Sequence, residues 1–129
     1  GVVALSTTVQ VLAVIVGLLL TAVWAMEIFF YRHPRLFFMF LIKPADYEPV
    51  RLWRVSIAYF NLTTAAALFI GAYLLSTSHS EAGQALILFT ACQHIFMAVV
   101  MLITQPKLWL NSIMEATPNV VLLLAYALT

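Results

Sequence analysis

Four apolar runs dominate the chain, at about residues 9–30, 55–75, 84–103 and 108–128. Each is close to the roughly 20 residues a helix needs to cross the hydrocarbon core of a bilayer. A soluble domain covers its surface with charged groups, and this chain has few of them. Of its 129 residues 64% are hydrophobic and 9% charged, and its mean hydropathy is +1.04, far from the globular norm. The predicted class is therefore all-α, an integral membrane four-helix transmembrane bundle with one domain over residues 1–129.

The fourth run is the least apolar. Its first half, LWLNSIMEATPN, holds Asn111, Ser112, Glu115, Pro118 and Asn119. A helix like this inserts by turning its polar face toward its neighbours. The first run has no basic segment ahead of it and no clear small-residue cleavage site, so it reads as a span rather than a removable leader.

Charge sets the direction. Arg32, Arg35, Lys43, Arg51 and Arg54 lie in or beside the segment between the first two runs, and Lys107 lies between the last two. All six basic residues thus fall on one side, which the positive-inside rule makes cytoplasmic. Both termini and the STSHSEAG link then face the non-cytoplasmic side. The amphipathic loop 31–54 carries LFFMFLI between Pro34 and Pro44, too short to span. Its expected place is the interface, as a short helix or re-entrant piece with Arg32, Arg35 and Lys43 toward lipid headgroups, or else as loop packed under the bundle. Tyr31, Trp53 and Trp109 stand at span ends on the same side, as an aromatic belt does.

The net charge of +1 and the lack of a basic arm exclude nucleic acid as a partner. A single cysteine, Cys92, cannot close an internal disulfide. It sits mid-span in apolar surroundings that do not activate a thiol, and no nucleophilic constellation or phosphate-binding loop is recognisable.

Polar residues within the runs fall at one depth. At about 1.5 Å of rise per residue, Glu27, Asn61 and Glu115 each lie on the order of 10 Å from the basic end of their run, with Gln93 and His94 slightly deeper. Helical spacing gives faces to this layer: Asn111, Glu115, Pro118 and Asn119 on the fourth run, Thr90, His94, Met97 and Met101 on the third, and Asn61 and Thr64 with Ile57 and Leu68 on the second. A carboxylate is costly in lipid and less so against a partner, so the faces are expected to meet inside. Glu27, Asn61, Gln93, His94 and Glu115 form the candidate cluster. It admits a ligand pocket, proton or ion handling by paired carboxylates, or a purely structural role in which Glu27 reaches Arg32 or Arg54 and Glu115 bonds Asn61. No metal site is expected, because no run carries the Glu-x-x-His pattern of di-iron bundles. Cys92 and His94, about 200° apart on a helix, do not converge either.

Several short elements resemble a known family. Met26-Glu27-Ile28-Phe29 closes the first run, Pro34-Arg35 and Phe40 follow, Phe60-Asn61 precedes Ala65-Ala66-Ala67-Leu68, and Glu115 stands three residues before Pro118. This pattern is similar to that of the small four-helix bacterial membrane proteins grouped as domain of unknown function 1304. Where that family tends to have an Ala-Gly-x-x-Gly pattern in its third span, this chain has Ala91-Cys92-Gln93-His94. The resemblance implies a fold, a polar set and a bacterial inner membrane, and no assigned activity or cofactor. The expected function is that of a small, non-enzymatic membrane protein whose polar layer binds a small ligand or docks a partner. The alternatives are an accessory subunit of a larger membrane complex, and a transporter or membrane enzyme using the buried carboxylates. Membrane lipids are the expected partners, with other membrane subunits as further ones.

Overall fold

The computed structural model describes residues 2–36 and 40–128. Its long helices are α1 (Val2–Phe29), α2 (Arg51–Leu74), α3 (Ser80–Thr104) and α4 (Trp109–Ala127), with single 3-10 turns at Pro34–Leu36, Pro44–Asp46 and Pro106–Leu108. Every regular element among the described residues is helical, and the four long ones are long and apolar enough to cross a membrane. Each 3-10 turn opens on a proline, whose fixed φ and missing N–H suit the first position of a helical turn. Pro106 also ends α3, because the residue before a proline is pushed out of the α region; Gln105 is extended, at φ −139° and ψ 88°.

The helices form a closed ring: α1 packs on α2, α2 on α3, α3 on α4, and α4 back on α1. Their inward faces follow helical spacing. On α1 these are Val9, Ala13, Val16, Leu20 and Glu27; on α2 Ala58, Asn61, Thr64, Ala65, Leu68 and Ala72; on α3 Ile87, Thr90, Ala91, His94 and Ala98; on α4 Ser112, Asn119 and Leu122. Small residues dominate, so the backbones approach closely and dispersion between helices is strong even where burial of apolar surface gains little. Outward positions are almost all apolar, with Leu18, Phe89, Phe96 and Ile103 more than half exposed. An apolar surface of that extent marks a nonaqueous or protein neighbour.

The inward faces differ from the sequence reading by one position in two helices. On α3 the stripe passes from His94 to Ala98, leaving Met97 exposed. On α2 Ala58 is buried and Ile57 is exposed. Where either of two adjacent residues fits the spacing, the smaller one is inside, as close packing demands. In the first loop, residues 37–39, on which the expected interfacial piece falls, lie outside the described residues. Just after them Leu41 has φ 53°, a left-handed conformation that a right-handed helix does not contain.

The tightest crossing is between α2 and α3. A Cβ built on Gly83 meets the Gly71 carbonyl oxygen at 2.6 Å and the Leu75 nitrogen at 3.0 Å, both backbone atoms that cannot swing aside. At Gly17 the obstacle is the tip of the Phe69 ring, at 2.6 Å, which can rotate away. Gly83→Ala is therefore expected to cost about 1–3 kcal/mol of overpacking, and Gly17→Ala distinctly less. Unfolding of the detergent-solubilised variants by heat or by sodium dodecyl sulfate measures both.

Candidate functional site

Glu27 stands at the inner face of the last full turn of α1, seven residues beyond Leu20 on the same stripe, and only 7% of it is exposed. A carboxyl so placed needs a donor, and α2 supplies it. Asn61 Nδ2 donates to Glu27 Oε1 at 2.8 Å. Seven residues earlier on the same face of α2, Arg54 Nη1 donates to the backbone carbonyl of Glu27 at 2.7 Å. That carbonyl belongs to the final turn of α1, where acceptors lack intrahelical partners and a cation is favoured. The Arg54 guanidinium also lies over the Tyr31 ring, 3.6 Å from its centroid, within cation–π range. One face of α2 thus holds Glu27 by side chain and backbone together.

The opposite half of the layer comes from α3 and α4. His94 is fully buried and stacks on Phe60 of α2, with centroids 5.9 Å apart and planes 14° from parallel. Its Nε2 is 3.7 Å from Glu115 Oε1, beyond hydrogen-bond length. Neither ring nitrogen meets hydrogen-bond geometry, although the Thr90 backbone one turn earlier is near enough to interact. Glu115 is half-buried. Pro118 lies inside α4 and has no N–H to give. Beside this gap in the ladder the Asn119 side-chain amide donates to the Glu115 carbonyl at 2.8 Å. Asn119 Oδ1 and Ser112 Oγ remain buried without a hydrogen-bond partner.

The structure brings together Glu27, Asn61, His94 and Glu115 from four different helices, while Gln93 is half-buried on the adjoining face of α3. The structural pairings expected from sequence are exchanged. Asn61 serves Glu27, not Glu115, and Glu115 faces His94. Arg54 takes the Glu27 backbone instead of its carboxyl. Arg32 turns to the aromatic side chains, its guanidinium 5.3 Å from the centroids of both Tyr31 and Tyr47. Arg35, Lys43, Arg51 and Lys107 are exposed. Among the described residues no three His, Cys, Asp or Glu side chains come together in a way that would hold a metal ion.

Ser112 is the member that sequence reasoning passed over. It lies three residues before Glu115 and seven before Asn119, so the i, i+3, i+7 spacing contains it. Asn111, the residue chosen for that face from sequence, is about 100° from Ser112 around the helix, and Glu115 and Asn119 fit the spacing of either. A second polar layer at the other end of the bundle was equally unmarked. There Gln10 Nε2 donates to the Ala72 carbonyl and to Ser76 Oγ, at 2.7 and 2.6 Å, and Tyr126 donates to Gln84 Oε1 at 2.9 Å.

Fold and site together define a small four-helix protein with span-length helices and a mixed carboxyl, amide and imidazole layer across its interior. The chain belongs to the family described as protein of unknown function (DUF1304), which it matches over residues 14–127. No curated protein and no solved structure matches it.

The Asn61–Glu27 bond gives a direct test. Asn61→Ala removes the donor and leaves a buried carboxyl oxygen unpaired, with an expected loss of about 1–3 kcal/mol. Glu27→Gln keeps an acceptor at Oε1 and is expected to lose much less. Replacing both by leucine is expected to recover part of the Asn61→Ala loss. A double-mutant cycle on denaturant unfolding in detergent measures the coupling.

Proposed function

We propose that this is a non-enzymatic integral membrane protein whose interior polar layer binds a small, donor-rich guest on the scale of water or an ammonium group. The reading rests on one observation: His94, Ser112 and Asn119 are buried beside Glu115 with polar atoms that no protein group satisfies. Each such atom costs roughly 1–3 kcal/mol if left dry, and native interiors meet such groups with ordered water, ions or ligands. The free positions are mostly acceptors, namely the Glu115 carboxyl, Asn119 Oδ1 and an imidazole nitrogen, so the guest must donate. We take it to be small, since the clefts around Tyr31 to Tyr47 and around Glu48 to Val55 both lie away from these residues.

The helices cross the membrane with the loop after α1 and the turn after α3 in the cytoplasm, since these hold all six basic residues, and with the termini on the other side. A bacterial inner membrane is the proposed location, supported by the sequence resemblance to bacterial four-helix proteins. Lipids are the primary partners.

Two measurements test this reading. In a Cys92→Ser background, Ser78→Cys is expected to react with a membrane-impermeant maleimide in intact cells and Ala45→Cys only after lysis; the reverse pattern would invert the topology. For the guest, histidine-labelled protein in nanodiscs is titrated with methylammonium or, as control, sodium. The signals lost in His94→Gln are expected to move with methylammonium alone, or to show contact with trapped water. A dry, unresponsive His94 would sink the binding-layer idea.

A further inference from the structure

A second site lies outside the helical interior, just beyond the end of α1. A cleft of about 390 Å³ opens there, lined by Tyr31, Arg32, His33, Pro34, Ile42, Pro44 and Tyr47. Its volume is in the range of small-ligand sites. The polar groups that line it are donors. Arg32 presents a guanidinium held by its aromatic neighbours: Nε donates to Tyr31 Oη at 2.9 Å, and the two tyrosine rings meet edge-on, 5.2 Å apart. Because Tyr31 Oη accepts from Arg32, its own hydrogen is free to donate outward. His33 Nδ1 accepts the Arg35 backbone N–H at 3.2 Å, which leaves Nε2 as the protonated nitrogen of the neutral ring. Tyr47 adds another hydroxyl.

No carboxylate lines the cleft, although Asp46 and Glu48 flank Tyr47 in sequence. Among the described residues Arg32 is within ion-pair distance of no acid. Its planar fork suits two oxygens of one phosphoryl group, and its orientation is fixed before any ligand arrives. The rest of the wall, Pro34, Ile42 and Pro44, is apolar, and the neighbouring Phe29 and Phe30 are exposed on the outside of the bundle. A phosphate bound at Arg32 therefore has an apolar path beside it for attached chains.

We infer that this cleft is a headgroup site for an anionic phospholipid, with Arg32 binding the phosphate, His33, Tyr31 and Tyr47 donating to it, and the acyl chains running along Phe29 and Phe30. The site rests on the membrane reading above and is independent of the guest in the polar layer. The shared chemistry is a phosphate ester, which a soluble molecule also offers, so both sources enter the test.

Purified full-length protein is exchanged against phosphatidylglycerol, phosphatidylcholine or glycerol phosphate, and retained ligand is counted by native mass spectrometry. Wild type is expected to retain phosphatidylglycerol over phosphatidylcholine, and Arg32→Ala to lower that retention by roughly fivefold. Arg32→Lys is expected to lose most of it too, since an ammonium keeps the charge without the fork. Lys107→Ala at the same end is expected to keep it. Arg32 is exposed, so these variants should fold, and unchanged thermal unfolding verifies that. Retention by Arg32→Lys equal to wild type would reduce the effect to surface charge and overturn the site. So would equal retention of the two lipids, or a preference for glycerol phosphate over the intact lipid. Reconstitution of all variants into nanodiscs separates these failures from failure of the membrane reading itself.

Discussion

The interior depends on the hydrogen bond from Asn61 to Glu27. A carboxyl at 7% exposure among apolar side chains has no water to fall back on, so α1 and α2 fit in only the register that brings a donor to it. Arg54 adds a second point on the same face of α2 by taking the Glu27 carbonyl. Two points on one helix face fix both translation and rotation of α1. The small residues on the facing surfaces, Ala58, Ala65 and Ala72 of α2 with Ala13 of α1, then close without steric resistance. Register comes from the polar contacts, and density comes from the small side chains. Neither is sufficient alone, because alanine-rich faces slide past one another at little cost.

Much of this is legible in the sequence, for identifiable reasons. Apolar runs of span length carry a strong signal, and four of them with short links leave few topologies. Glu27, Asn61, His94 and Glu115 stand out because polar residues are rare in such runs, and their depth follows from helical rise. Pairing is harder to read, because depth says nothing of azimuth between helices. The pairing of Asn61 with Glu115 expected from sequence fails because the ring order of the helices places α2 beside α1 and α3 beside α4. The one-residue error at Ile57 and Met97 has the same origin: periodicity tolerates a shift of one position, and only packing against a neighbour rejects the bulkier choice. Ser112 was missed because a hydroxyl in a helix usually bonds its own backbone, as Thr21 and Thr64 do here.

The polar groups are not scattered through the core. Gln10, Ser76, Gln84 and Tyr126 tie the helices at one end, Glu27 to Asn119 at the other, and between them lie the apolar Val16, Leu68, Ile87, Ala91 and Leu122, with the hydroxyls of Thr64 and Thr90 buried nearby. The terminal-end ties are closed, each donor ending on a carbonyl, hydroxyl or amide. They join α1 to α2 and α3 to α4, the pairs that follow one another in sequence. Contact between those two pairs is made by the glycine crossing of α2 and α3, by the packing of α4 on α1 and the shared apolar core, and by the layer at the basic end.

That layer is itself uneven. Its α1–α2 half holds Glu27 by two bonds, carboxyl to amide and guanidinium to carbonyl, although Arg54 Nε and Trp24 Nε1 stay buried without a partner. Its α3–α4 half is open, with an imidazole too far from Glu115 for a hydrogen bond and with Ser112 and Asn119 each holding a free oxygen. The helix that carries most of these open groups is also the one interrupted by Pro118, where a backbone hydrogen bond is missing and Asn119 spends its amide on a main-chain carbonyl. The proline removes one backbone hydrogen bond beside the open groups, while Asn61 and Arg54 of α2 hold Glu27 opposite. The proposed guest would meet its open acceptors in the α3–α4 half, opposite the carboxyl that Asn61 holds.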